Sequence, residues 1–166
     1  MKKIILWIPL FLAGMQTQAQ AKLTKNNVLG NWALCTIDMP DVIFYDLEND
    51  TISISQKAIN EAKQNPMFVS VDSVKTLAKQ GLEPFKQFFL KINPDATLEI
   101  YFGVPGSYSK STYVVDEEHS TIIVTEKSQI KSNYTGEMIR DRLRLYFNDK
   151  GIVYTLLLKK QVPKIN

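Results

Sequence analysis

The most informative part of the chain is residues 87–160, where short segments alternate apolar and polar residues. Alternation with a period of two predicts β-strands that have one buried and one exposed face. Six such segments follow one another, namely QFFLKIN, TLEIYFG, SKSTYVVD, STIIVTEK, EMIRDRLRLYF and GIVYTLLLKK. Turn-forming residues such as NPDA, VPGS, DEEH and NDKG separate them, so we expect antiparallel hairpins. In the last hairpin Gly151 is expected to adopt a positive φ.

The residues before this run predict one strand followed by a helical insert. Residues 30–37 form an apolar strand that begins at a glycine. Two short amphipathic helices are expected next, over residues 55–64 and 71–80. Ser70 is placed to cap the second helix, and Gly81 is placed to end it in a left-handed conformation.

The first 21 residues predict a secretory signal peptide. Lys2 and Lys3 precede an apolar stretch that is roughly half the length of the about twenty residues needed to span a membrane. An A-x-A site follows, and cleavage is expected after Ala19 or Ala21. The sequence therefore predicts an exported protein, periplasmic or extracellular and not membrane-spanning, with one domain in residues 22–166.

The charge balance and the cysteine content narrow the possible partners. The 166-residue chain has 20 basic and 17 acidic residues, and removal of Lys2 and Lys3 leaves 18 against 17, a net charge of about +1. This balance gives no reason to expect a nucleic acid or an anionic membrane as partner. Cys35 is the only cysteine, so no internal disulfide forms, and we expect its thiol to be buried.

Three short motifs carry a resemblance to a known family. Gly30 and Trp32 form a G-x-W at the head of the first strand, FFLKINPDATL spans residues 88–98, and Ser111–Tyr113 reads STY. With the antiparallel strands downstream, the chain resembles lipocalin-like proteins, in particular small exported ones of uncharacterised function from gut-type bacteria. The resemblance implies that the tryptophan plugs the closed end of a barrel and that a basic residue packs across its indole. Three residues compete for that role: Arg144, Lys159 and Lys160.

The expected fold is mainly β. We predict an antiparallel, lipocalin-like, up-and-down barrel with two short helices inserted after the first strand. An NTF2-like cone is the alternative, since it also combines early helices with a curved antiparallel sheet. It would need a long helix before the first strand, where only residues 23–29 are free.

An eight-strand barrel is wide enough to be filled by side chains or to hold one small ligand. We therefore expect a non-enzymatic binder of a small hydrophobic or amphipathic molecule. The residues predicted to line the interior are Phe88, Leu90, Phe102, Tyr113, Tyr154 and Leu156. The alternative is a packed barrel without a ligand cavity, which acts in protein–protein interaction or envelope assembly with a partner that the sequence does not identify.

One polar row has two interpretations. Arg140, Arg142 and Arg144 are predicted to project from the same face of one strand, about 7 Å apart. Such a row suits contacts to an anionic ligand. It equally suits a solvated outer face whose arginines pair with carboxylates on neighbouring strands, the candidates being Glu99, Glu126 and Asp116.

Residues for catalysis or metal binding are few. His119 is the only histidine and lies in a hydrophilic turn. A catalytic histidine, in contrast, is usually buried and is oriented by a hydrogen bond to a carboxylate. One histidine and one cysteine do not provide a tetrahedral zinc site. Asp46, Glu48 and Asp50 have the spacing of a calcium loop, but the glycine that such a loop requires directly after them is missing. We expect no enzymatic activity, no metal and no cofactor.

Overall fold

The computed structural model describes residues 20–64, 70–149 and 151–161. Its eleven strands are β1 Gln20–Lys22, β2 Gly30–Met39, β3 Ile43–Asp46, β4 Thr51–Ile54, β5 Phe89–Ile92, β6 Thr97–Tyr101, β7 Ser109–Asp116, β8 Thr121–Thr125, β9 Lys131–Ile139, β10 Arg142–Asp149 and β11 Ile152–Lys160. Its helices are α1 Gln56–Ala62, α2 Val71–Leu82 and a 3₁₀ helix at Glu83–Gln87. Most of the predicted signal peptide, residues 1–19, lies outside the described part.

Eight strands form a closed antiparallel barrel. From β5 to β11 each strand pairs with the next in the chain, and β2 pairs with both β5 and β11. Alternate side chains point inward, and the inward set includes Leu143 and Leu158, which are fully buried. Each such leucine contributes roughly 1.5–3 kcal/mol relative to an exposed position. The predicted mainly β fold, an antiparallel up-and-down barrel with two short helices, is confirmed, and it is consistent with a lipocalin-like barrel.

The antiparallel order gives the barrel two different ends. The closed end holds the head of β2 and the turns at residues 93–96, 117–120 and 140–141. The open end holds the loop at residues 102–108, the turn at residues 126–130 and the β10–β11 turn. In that last turn Gly151 has a φ of 86°, as predicted.

Between β2 and β5 the chain forms the β3–β4 hairpin and then the helices. Ser55 and Ser70 cap α1 and α2, each accepting a hydrogen bond from a backbone N–H three residues ahead. The predicted stop at Gly81 is wrong. Gly81 lies inside α2, and the chain continues directly into the 3₁₀ helix, where Pro84 provides a favourable first-turn residue.

The segment predicted as one arginine-bearing strand is a hairpin. Strand β9 ends at Ile139 and β10 begins at Arg142, with Arg140 in the turn at a φ of 58°. A left-handed conformation at a non-glycine residue is uncommon, so the sequence pattern gave no warning of the turn. Arg140 therefore does not share a strand face with Arg142 and Arg144.

An irregularity in β2 explains the burial of Cys35. Leu158 pairs with Leu34, whereas Leu157 pairs with Thr36, so Cys35 is an extra residue of a β-bulge. Its carbonyl accepts a hydrogen bond from the Leu47 N–H at 2.8 Å, and its side chain is fully buried, as predicted. Burial raises the pKa of the thiol, which keeps it protonated.

Candidate functional site

The closed end is sealed by Trp32. The indole is fully buried, and its Nε1 donates a hydrogen bond to the Val28 carbonyl at 2.8 Å. Of the three basic residues considered, Lys160 packs on the ring, with Nζ 5.6 Å from its centroid. A Cβ on Gly30 would come within 2.6 Å of Lys160 Cε, so the glycine makes room for this contact. Gly30, Trp32 and Lys160 thus pack together at the closed end, and their role as a barrel plug stays a prediction.

A cavity of about 650 Å³, here called the mouth cavity, lies at the open end. One side is apolar, with Ile37 and Met39 from β2 and Leu82 and Phe85 from the helical segment. The other side is formed by the first four residues of β9, Lys131 to Tyr134, together with residues of β10 and β11. This volume falls within the range of small-molecule sites.

Beneath the mouth cavity lies a narrower space of about 90 Å³, here called the inner cleft. Four residues line both spaces and form the neck between them: Phe102, Ser132, Tyr134 and Leu156. Phe88 and Leu90 form part of the cleft wall and are each 3% exposed. The barrel is therefore packed in its lower part and open in its upper part.

Five of the six predicted lining residues reach these spaces. Phe88 and Leu90 line the cleft, Tyr154 lines the mouth cavity, and Phe102 and Leu156 line both. Tyr113 lines neither. Its hydroxyl donates to the Asn93 carbonyl at 2.8 Å near the closed end. Alternation placed Tyr113 correctly on a buried face, but it carries no information about which end of the barrel a residue occupies.

Aromatic rings line much of the mouth. Phe147 and Tyr154 stack with centroids 4.7 Å apart and planes 6° apart, and Tyr134 lies 5.6 Å from Phe147. Across the cavity, the Phe85 ring meets Phe102 edge-on at 6.4 Å. Phe85 was not predicted as a lining residue, because its short 3₁₀ helix shows no periodicity that would reveal its face.

The helical segment is held over the mouth by a close backbone contact. Gly103, in the loop after β6, has a φ of 84°, and a Cβ at this position would overlap the Pro84 carbonyl. The 3₁₀ helix that carries Phe85 therefore lies directly on this loop. Only glycine permits both the backbone conformation and the close approach.

An ion cluster ties the same segment to the β3–β4 hairpin. Asp50, in the hairpin turn, pairs with Lys79 of α2 and with Lys86 of the 3₁₀ helix, the latter at 3.2 Å. Tyr45 also donates a hydrogen bond to Asp50, at 2.9 Å. The Lys79 ammonium, with these other donors, lowers the pKa of Asp50 to about 2.

The strand arginines pair with carboxylates on the outer face of the barrel. Arg142 lies 3.2 Å from Glu48, and Arg144 lies 3.0 Å from Glu137. The partners differ from those considered in the sequence, because Glu48 comes from the inserted hairpin and Glu137 from the unrecognised β9. Neither Arg142 nor Arg144 lines the mouth cavity or the inner cleft. Binding of an anion by these residues stays a prediction.

Tyr134 is a neck residue whose phenol has a raised pKa. Burial raises its pKa, and the nearby Glu126 carboxylate raises it further, while Ser132 acts in the opposite direction. The hydroxyl is therefore neutral at physiological pH, suited to donating and accepting hydrogen bonds in the neck.

The other candidate groups lie away from the cavity. His119 is in the β7–β8 turn at the closed end, with a 71% exposed side chain whose Nδ1 is 2.9 Å from Asp116. Within the described ranges, no three His, Cys, Asp or Glu side chains cluster as metal ligands would. No helix in the same ranges has both the length and the apolar character for crossing a bilayer.

Comparisons with known proteins give a structural neighbour. A crystal structure of a DUF4847 family protein from Bacteroides vulgatus ATCC 8482 aligns with a TM-score of 0.47 and 13% sequence identity. The alignment covers 80% of this chain and 94% of that protein's chain. No family model and no curated protein matches this sequence.

Proposed function

We propose that this protein is an exported, non-enzymatic binder of a small hydrophobic or amphipathic molecule held at the open end of the barrel. The observation that carries the proposal is the mouth cavity of about 650 Å³, whose wall is mainly apolar and aromatic. Rigid aromatic walls bury a ligand's surface at little entropic cost.

Export is supported by the lysine-led apolar start of the chain and its A-x-A site. Strand β1 bears on the choice of cleavage point. Gln20–Lys22 pair with Glu137–Ile139 of β9, so cleavage after Ala19 leaves this strand whole, whereas cleavage after Ala21 removes two of its three residues. The proposal therefore places cleavage after Ala19.

The test is to fill the neck. Phe102→Trp enlarges a side chain shared by the mouth cavity and the cleft, and Val114→Trp is the matched control, since Val114 is 62% exposed on the outer face of β7. Binding of the neutral fluorescent probe 1-aminoanthracene is measured by titration. We expect Phe102→Trp to weaken binding at least tenfold and Val114→Trp to leave it unchanged, with both variants folded by circular dichroism.

Native mass spectrometry of protein purified from its own host complements the titration. A retained small molecule would identify the ligand class directly. The proposal fails if the wild type takes up no apolar probe and carries no ligand, or if Phe102→Trp binds as the wild type does.

Exposed apolar residues at the open end favour a second candidate, a protein-interaction module. Val104, Ile130, Ile152 and Val153 are 41–59% exposed. The first two lie in connections at this end, and the other two are the first residues of β11. Exposed apolar groups of this kind are typical of protein contacts when they form a continuous patch. If this function is the correct one, Ile130→Asp abolishes partner binding while uptake of the probe is unchanged.

A further inference from the structure

The polar groups of the mouth cavity lie on one side, where β9 and β10 separate. The two strands pair from Ile139 opposite Arg142 as far as Thr135 opposite Tyr146, and no further. Beyond this point the first four residues of β9 pair only with β8, while the end of β10 pairs only with β11. The barrel wall therefore has a lateral gap at its open end, here called the β9–β10 gap.

The gap explains why adjacent residues of β9 all reach the cavity. In a continuous sheet Lys131 and Asn133 would face outward, since side chains alternate between the two faces of a strand. Because β9 leaves β10 before the open end, Lys131 and Asn133 border the cavity along with Ser132 and Tyr134. Asn148 of β10 borders it from the other side of the gap.

The groups at the gap offer hydrogen-bond donors. Among the residues that the structure describes, Lys131 is the only charged one in the wall of the mouth cavity. Its ammonium forms no ion pair with the described side chains. The amide oxygen of Asn148 already accepts a hydrogen bond from the Gly151 N–H at 2.9 Å, which leaves its NH₂ group to donate. A cation and an amide donor in the wall of the same cavity suit an anion.

The inner cleft has the opposite character. Its wall is mainly apolar, from residues such as Leu98, Ile122 and Leu145, and Glu126 is the one charged residue that the described part of the chain contributes to it. An anionic group in the cleft would lose its hydration and lie near a like charge. The two spaces therefore favour one orientation of an amphiphile, with its tail inward and its anionic group at the gap.

Resting on the proposed function, we propose that the ligand is an amphiphile with a single anionic headgroup. Its apolar part fills the mouth cavity and reaches the neck, and its headgroup lies in the β9–β10 gap against Lys131 and Asn148. A carboxylate and a phosphate monoester share this chemistry, so both a free fatty acid and a lipid headgroup are possible sources.

The experiment compares ligands that share one tail. Dodecanoate, dodecyl phosphate and dodecanol are titrated below their micelle concentrations against bound 1-aminoanthracene, with wild type, Lys131→Gln and Lys131→Arg. Lys127→Gln is the matched control, because Lys127 lies in the β8–β9 turn and lines neither the mouth cavity nor the cleft.

At low ionic strength we expect wild type to bind at least one anion about fivefold or more tightly than dodecanol. Lys131→Gln removes this preference without weakening dodecanol binding, Lys131→Arg keeps it, and Lys127→Gln has no effect. Added salt reduces the preference, because the ammonium is exposed. Tighter binding of dodecanoate indicates a free acid as the natural source, and tighter binding of dodecyl phosphate indicates a lipid headgroup.

Three results overturn the inference, and only the third also overturns the proposed function. If wild type binds dodecanol as tightly as both anions, the ligand is a neutral amphiphile and the proposed function stands without an anionic headgroup. If the anions are preferred and Lys131→Gln keeps the full preference, the headgroup does not lie at the gap. Absence of binding by all three compounds and by the probe overturns the proposed function as well.

Discussion

Gly103 offers the sharpest test of how the helical segment is fixed over the mouth. Its φ is 84°, and an added Cβ would overlap the carbonyl of Pro84. Gly106, in the same loop, has a φ of 82°, but a Cβ there would meet no atom within 4 Å. The two alanine variants therefore share the backbone strain and differ in the steric conflict.

The expected magnitudes follow from these two contributions. An L-residue in the left-handed region costs roughly 1 kcal/mol, which is the whole effect expected for Gly106→Ala. Overlap in a packed site adds roughly 1–3 kcal/mol, so Gly103→Ala should lower the free energy of unfolding by about 2–4 kcal/mol in total. A domain of this size has about 5–15 kcal/mol of stability, so Gly103→Ala is expected to remain folded.

Urea unfolding, followed by tryptophan fluorescence and circular dichroism, measures both variants at equal protein concentration. Binding of 1-aminoanthracene is measured on the same samples. The chain can relieve the steric conflict by moving the 3₁₀ helix away from the loop. The loss of stability would then be smaller, but Phe85 would be displaced and probe binding would weaken. Equal stability and equal probe binding in Gly103→Ala and Gly106→Ala would refute the reasoning.

Two further predictions concern the plug and the ion cluster. Lys160→Met should lower the free energy of unfolding by about 0.5–1 kcal/mol, measured by urea titration, because the cation over Trp32 is lost while an aliphatic cover remains; an unchanged midpoint would contradict a role for the charge. Asp50→Asn should lower the melting temperature at neutral pH, since it removes the carboxylate that pairs with Lys79 and Lys86. The folded pKa of Asp50, about 2, lies below its usual 3.8, so this stabilisation is complete above about pH 4 and is lost as the pH falls through 2. The melting temperatures of wild type and variant should converge over that interval. A constant difference in melting temperature down to pH 2 would show that the charge of Asp50 is not the source of the stabilisation.

Much of the fold could be predicted from alternation and from capping residues. Strand β11 has the predicted bounds, the β10–β11 turn uses Gly151 as expected, and Ser70 caps α2. These features depend on residues close together in sequence, because hairpin geometry and helix capping are local. The candidate site was predicted in part for the same reason, since Phe88, Leu90 and Phe102 were assigned to a buried face by period two alone.

The remaining features depend on contacts between distant parts of the chain. Arg140 adopts a left-handed conformation in a turn that divides the segment predicted as one strand. For this reason β9 was not predicted as a separate strand. Alternation likewise could not tell that Tyr113 lies near the closed end, because it specifies a face of the sheet but no position along the barrel axis.

The sequence by itself determined an antiparallel sheet with one apolar face and two short helices, the second of them capped by Ser70. Only the tertiary structure decided that β2 closes the barrel on β11, that Lys160 covers Trp32, and that Phe85 reaches the mouth. It also decided where β9 and β10 separate, and hence that Lys131 borders a cavity. The physical reason is that long-range packing determines barrel closure, strand separation and the docking of the helical segment. A short stretch of sequence contains no information about such packing.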